Sequence, residues 1–236
     1  TVCSDQLGFD KTLIAKAAYS YHMVVGPGTL GIGLEAGMIQ KQLSGTWVTP
    51  DAAYPATQDA SIPDANAAKT VFDLGFGAYY TTDNGMYFGL SSTHLPQTTF
   101  KKDAAPSVAG AVADIYRFQN ARHYYIMAGY PFSITDDIKV IPSVLAKTDA
   151  TSTQLDINAR AVWKDMVWAG ASYRLTDAIV ALVGFEWNKL RVGYSFDITT
   201  SAIKNYSNNT HEIMVGYCFK PFKPPVPAEH RNVRFL

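Results

Sequence analysis

The chain has 236 residues, with 20 Lys+Arg against 20 Asp+Glu, so its formal charge is zero. That excludes the basic surplus a nucleic-acid binder needs. Charged residues are only 17% of the chain, below the roughly 25% usual in soluble domains, and aromatics reach 13%. No apolar run approaches the ~18–20 residues of a membrane-crossing helix. A mean hydropathy of -0.03 does not exclude a transmembrane β-barrel, because alternating strands average to neutral.

The two cysteines, Cys3 and Cys218, stand at opposite ends of the chain and are read as unpaired. The opening TVCSDQLGFD has no initiator Met and no signal-peptide pattern. Either a leader has been removed or the chain begins partway through a gene product.

Two-residue periodicity recurs along almost the whole chain. In TLIAKAAYSYHMV (12–24), Leu13, Ala15, Ala17, Tyr19 and Tyr21 face one way, and Thr12, Lys16, Ser20 and His22 the other. After the GPG turn (26–28), TLGIGLEAGMIQK (29–41) sets Leu30, Ile32, Leu34, Ala36 and Met38 against Gly31, Gly33, Glu35 and Gly37. Such alternation marks a strand between two unlike surroundings. The Pro-, Asp- and Ala-rich stretch 44–69 reads as a loop. TVFDLGFGAYY (70–80) and MYFGLSST (86–93) form a hairpin around Asn84-Gly85, a pair that favours positive φ.

A second long loop covers about 94–120, and its AAPSVAGAVADIYRF portion is expected to hold a short helix. Strands resume at 122–132, 138–147, 152–163, 167–174, 178–187, 190–199 and 210–219. The count is about eleven, mostly of the ~9–11 residues that cross a bilayer at a tilt.

The connections sort by length. With the last strand ending at Phe219 on the periplasmic side, the connections at 26–28, 82–85, 133–137, 163–166 and 187–190 share that side, and all are short. Those at 44–69, 94–120, 148–151, 175–178 and 200–209 share the other side, which holds every long one. Outer-membrane barrels have short periplasmic turns and longer outer loops.

In a soluble sandwich the apolar faces would point inward. Yet glycine-rich polar faces are odd on a solvent surface and fit a crowded barrel interior better. Aromatics at the strand ends (Tyr80, Tyr124, Phe132, Trp163, Tyr173, Trp187, Phe219) resemble interfacial girdles. The expected fold is therefore an all-β, up-and-down transmembrane antiparallel barrel with its apolar face in lipid. It would occupy residues 1–219, followed by a proline-rich periplasmic tail, 220–236. An odd strand count places Thr1 outside the cell, so N-terminal strands are expected to be missing; a count wrong by one is the competing explanation.

Several stretches together resemble the PorP/SprF family of type IX secretion and gliding systems. They are RHYYIMAGYPFSITDDIKVIPSVLAK (122–147), LDINARAVWKDMVWAGASYRLTDAIVALVGFEWNKLRVGYSFD (155–197) and NTHEIMVGYCF (209–219), with FDLGFGAYYTTDNGMYFGLSST (72–93) and the terminal RNVRFL (231–236). The sequence departs slightly where members often have Gly-Ser before the His-Glu. The resemblance implies an outer-membrane role in protein export, with other secretion components or the C-terminal domain of a secreted adhesin as partners. It carries no nucleic-acid partner.

No catalytic arrangement stands out, and neither a cofactor nor a metal is expected. His22, His94, His123, His211 and His230 have no metal-ligand spacing. Strand parity places Asp156, Glu186, Asp197 and Glu212 inside with Arg160, Arg174 and Arg191, and sets Glu186 opposite Arg191. A mixed interior reads as a filled or narrow lumen rather than a charge-selective pore. In the tail, Pro221, Pro224, Pro225 and Pro227 favour an extended form. Arg231, Arg234, Phe235 and Leu236 are the candidate partner-binding residues, on the pattern of extended docking peptides. The alternatives are a disordered tail, a diffusion channel or apolar-solute transporter, and a soluble β-sandwich.

Overall fold

The computed structural model describes residues 1–45, 48, 68–102, 116–205 and 209–219. Fifteen strands are present among them: β1 (Val2–Leu7), β2 (Asp10–Val25), β3 (Gly28–Leu43), β4 (Ala68–Thr82), β5 (Tyr87–Thr93), β6 (Thr99–Lys102), β7 (Tyr116–Gln119), β8 (His123–Gly129), β9 (Phe132–Ser133), β10 (Ile138–Thr148), β11 (Thr153–Trp163), β12 (Val167–Arg174), β13 (Ala178–Trp187), β14 (Leu190–Thr199) and β15 (Thr210–Tyr217).

One antiparallel sheet runs in the order β1-β2-β3-β4-β5-β8-β10-β11-β12-β13-β14-β15. Neighbours in space are neighbours in sequence except where β6, β7 and β9 intervene. That is the up-and-down meander of a barrel wall. β8 and β9 are two pieces of one strand, both paired to β10 and interrupted at Tyr130-Pro131. Pro131 has no N–H to give the ladder, which explains the break. Among the described residues β1 and β15 are not hydrogen-bonded to each other, so the wall is open along that seam.

The strand count expected from the sequence is one short. β1 pairs with the first part of β2, from Val2↔Ala15 to Leu7↔Asp10, through a two-residue turn at Gly8-Phe9. The path through the sheet therefore has twelve strands, not eleven, so parity no longer argues for missing strands, but the open seam between β1 and β15 among the described residues fits the incomplete barrel expected from the sequence. VCSDQL mixes apolar and polar residues on both of its faces, so period two does not reveal it.

The faces settle which side is greasy. Leu34 is 65% exposed, Phe72 54% and Ile126 53%, whereas Asp73 is only 2% exposed. Apolar side chains point out of the wall, and polar and small ones point in. This inverts a soluble core and matches a wall bounded by lipid outside. Exposed Phe132, Trp163, Trp187 and Phe219 ring the end with short turns, and Tyr124 and Tyr173 lie towards the other end, as an aromatic girdle at each interface requires.

The turns keep the expected sorting. Gly26-Pro27, 83–86, 164–166 and Asn188-Lys189 are short and share one end. Lys164 and Asp165 both take φ of 52°, the left-handed conformation that tight hairpins demand. The connections 44–67, 94–122 and 200–209 share the opposite end, joined there by the short Gly8-Phe9 turn. No helix among the described residues is long and apolar enough to cross a membrane.

Candidate functional site

The inner face carries the chemistry, and its first cluster lies on β2, β3 and β4. Lys16, Gly37 and Asp73 are in register across three neighbouring strands. The lysine stretches over the glycine, and its Nζ lies 2.8 Å from Asp73 Oδ2 and 2.9 Å from Glu35 Oε1. A Cβ on Gly37 would stand 2.2 Å from the Ala15 carbonyl oxygen and 2.7 Å from Lys16 Cγ. Glycine is thus required for the crossing. His94 Nδ1 reaches the same Asp73 oxygen at 2.9 Å, and the His94 ring packs edge-on against His123. A carboxylate this deeply buried is tolerable only with such partners.

Above this cluster a small hairpin folds onto the inner face. β6 and β7 pair with each other, not with the wall. Phe100 on β6 is completely buried and packs on Ile39, Val71 and the partly buried Ile14. Those three residues share one register row on β2, β3 and β4. The connection is pinned by the Thr98 hydroxyl donating to the Phe72 carbonyl at 3.1 Å and by Arg122 donating to the Leu95 carbonyl at 2.7 Å. Lys41 Nζ sits 4.1 Å from the Phe118 ring centroid, a cation–π contact. Of the segment 104–118 expected to hold a short helix, Tyr116 to Phe118 belong to a strand. Residues 103–115 lie outside the described residues.

The second cluster lies on β11 to β14. Arg174 reaches Asp197 at 3.2 Å, and Asp156 and Asp177 at 3.6 Å each. Glu186 is directly paired with Arg191, as expected from the two-residue turn, and their side chains meet at 2.9 Å. Ser195 donates to Glu212 at 3.3 Å. His211 meets Tyr194 and Phe196 on the outer face, where the Tyr194 hydroxyl lies 2.7 Å from His211 Nδ1. This is a packing role near a strand end and sets up no acid–base pair with Glu212. Both cysteines are free.

The sequence reading brought together the inner charges of β11 to β15 but missed Lys16, Glu35, Asp73 and His94 as one cluster. Their separation in sequence hides them; the only available signal was a charge on the glycine-rich face of each strand. The candidate partner-binding residues Arg231, Arg234, Phe235 and Leu236 lie outside the described residues.

No curated protein matches the chain. A family described as type IX secretion system membrane protein PorP/SprF matches residues 1–217. With that match over most of its length, the chain belongs to the PorP/SprF family of type IX secretion system membrane proteins.

Proposed function

We propose that the chain is an outer-membrane partner barrel of the type IX secretion and gliding machinery. In this reading it supports a secreted cargo, such as an adhesin recognised through its C-terminal domain, or a periplasmic secretion component. It does not act as an enzyme or an open diffusion channel. The observation that carries the reading is the occupied interior: Lys16 meets both Asp73 and Glu35, His94 contacts the same Asp73 oxygen, and Phe100 is buried against the inner face. A conducting, selective lumen would instead present a ring of one charge sign.

The segment 220–236 is the proposed docking arm. In this reading it is periplasmic, its prolines favour an extended form, and Arg231, Arg234, Phe235 and Leu236 offer charge and apolar anchors at its end. Deleting residues 221–236 tests this. The truncated barrel is expected to reach the membrane but to abolish export or surface attachment of the dependent protein. Unchanged export by the truncated chain would overturn the docking role.

A further inference from the structure

Parity assigns three arginines to the inner face of β11 to β14, and their fates differ. Arg174 and Arg191 both have carboxylate partners. Arg160 has none among the described residues. Its guanidinium carbon instead lies 5.7 Å from the centroid of the Trp168 ring, within the ~6 Å reach of a cation–π contact.

The stack is built into the wall. Trp168 is in register with Gly184, and Gly184 with Gly193. A Cβ on Gly184 would stand 2.4 Å from Trp168 Cζ2, so the indole lies flat across that position. Gly170, in register with Arg160, would bring a Cβ within 2.7 Å of the Ala159 carbonyl oxygen. Glycines therefore make the space in which a cation and an aromatic plate are held side by side.

That pair borders a cavity of about 250 Å³ on the inner face. Ile141 and Leu182 give it apolar walls, and Tyr87, Ser143 and Asn158 add neutral polar groups. A single unpaired guanidinium beside apolar walls matches one negative charge on an apolar body. A phosphate dianion would bring a second negative charge that one guanidinium leaves unbalanced. The volume lies below the ~300–1,000 Å³ of drug-sized pockets, which limits the ligand to a small one.

We propose that the Arg160–Trp168 cavity is a binding site for a small carboxylate carrying an aromatic or branched aliphatic group. The guanidinium takes the carboxylate in a charge-assisted hydrogen bond, and Trp168, Ile141 and Leu182 take the apolar part. The site is independent of the secretion role and of the C-terminal segment.

The test is a ligand-observed NMR titration of the full chain in detergent, with empty micelles subtracted. The probes are N-acetyl-phenylalanine and its C-terminal amide, which differ only in the charge. The acid is expected to saturate and the amide to bind at least tenfold more weakly. Arg160→Gln should weaken the acid at least tenfold, to the level of the amide, while Arg160→Lys should retain part of the difference. Equal binding of acid and amide, or no saturable binding of either, overturns the proposal on the unsubstituted chain alone. An unchanged affinity in folded R160Q overturns it as well. A hexapeptide ending in phenylalanine with a free carboxylate separates two sources of the same chemistry. Competition with the acid extends the site to peptide C-termini, and its failure confines the site to free small acids; both follow only once the acid has bound.

Discussion

Lys16 Nζ and Asp73 Oδ2 meet at 2.8 Å although a whole strand, β3, lies between their backbones. Gly37 is what allows it, and the contact ties three strands together from the inside. An ion pair in such a place holds register more surely than it adds stability, because desolvation offsets most of its attraction.

Breaking the pair from one side should therefore cost more than removing it. Asp73→Leu leaves a buried ammonium with Glu35 alone and is expected to destabilise the barrel by about 3–5 kcal/mol. The double substitution Lys16→Met with Asp73→Leu is expected to recover most of that loss. Urea unfolding in lipid vesicles gives the coupling directly as a double-mutant cycle. Additive losses would show that the two side chains act independently.

Phe100 is the anchor of the inner hairpin. Phe100→Ala removes its packing on Ile39 and Val71 and should cost about 3–5 kcal/mol, as large-to-small changes in tight cores do. The loss should be local. The Asn120 N–H, which donates to the Thr98 carbonyl at 3.2 Å, should exchange with solvent much faster, while amides at the centre of β11 to β13 keep their protection. Uniform loss of protection across the wall would contradict the hairpin's separate attachment.

Arg174 balances two inner carboxylates, Asp156 and Asp197, and one more exposed one, Asp177. Arg174→Leu strands the two inner charges and is expected to cost about 1–3 kcal/mol. Asp177→Asn should change stability by no more than about 0.5 kcal/mol. Thermal unfolding of the two variants side by side checks the order, and a larger loss from D177N would reverse the assignment.

Asp149 lies in the connection between β10 and β11, outside the spanning strands. Backbone N–H groups of Ser152 and Thr151 donate to its Oδ1 at 2.7 and 2.9 Å and hold its carboxyl below the ordinary value of 3.8. A lowered folded value means the carboxylate form is the stabilising one. The turn's extra order is thus fully present above about pH 4 and disappears as pH falls through the depressed value. Amide protection at Thr151 and Ser152 should be flat from neutral pH down to that point and then drop. In Asp149→Ala it should be low throughout; a pH-independent wild-type profile would refute the account.

Much of the wall was legible because one physical rule, period two, governs most of its strands. Alternation put Leu34 and Phe72 on the apolar face, the glycine-rich faces and strand-end aromatics turned that face outward, and the Glu186–Arg191 pair followed once the turn at Asn188-Lys189 fixed the register. What escaped did so for definite reasons. β1 mixes polarity on both faces. β6 and β7 pair across a connection of 13 residues with no turn signal next to either. The Lys16–Asp73 contact joins positions 57 apart in sequence, and its register depends on which strands are neighbours, which alternation does not encode. Arg160 was placed inside by parity, but that it has no carboxylate partner among the described residues required side-chain geometry.

The most direct test of the central claim is recovery of partners from intact outer membranes. A tagged full-length chain and a tagged chain lacking residues 221–236 would be extracted in mild detergent and their companions identified. The account predicts that secretion-machinery components or one large surface protein accompany the full chain and are lost with the truncation. Recovery of a lone barrel from both would contradict it.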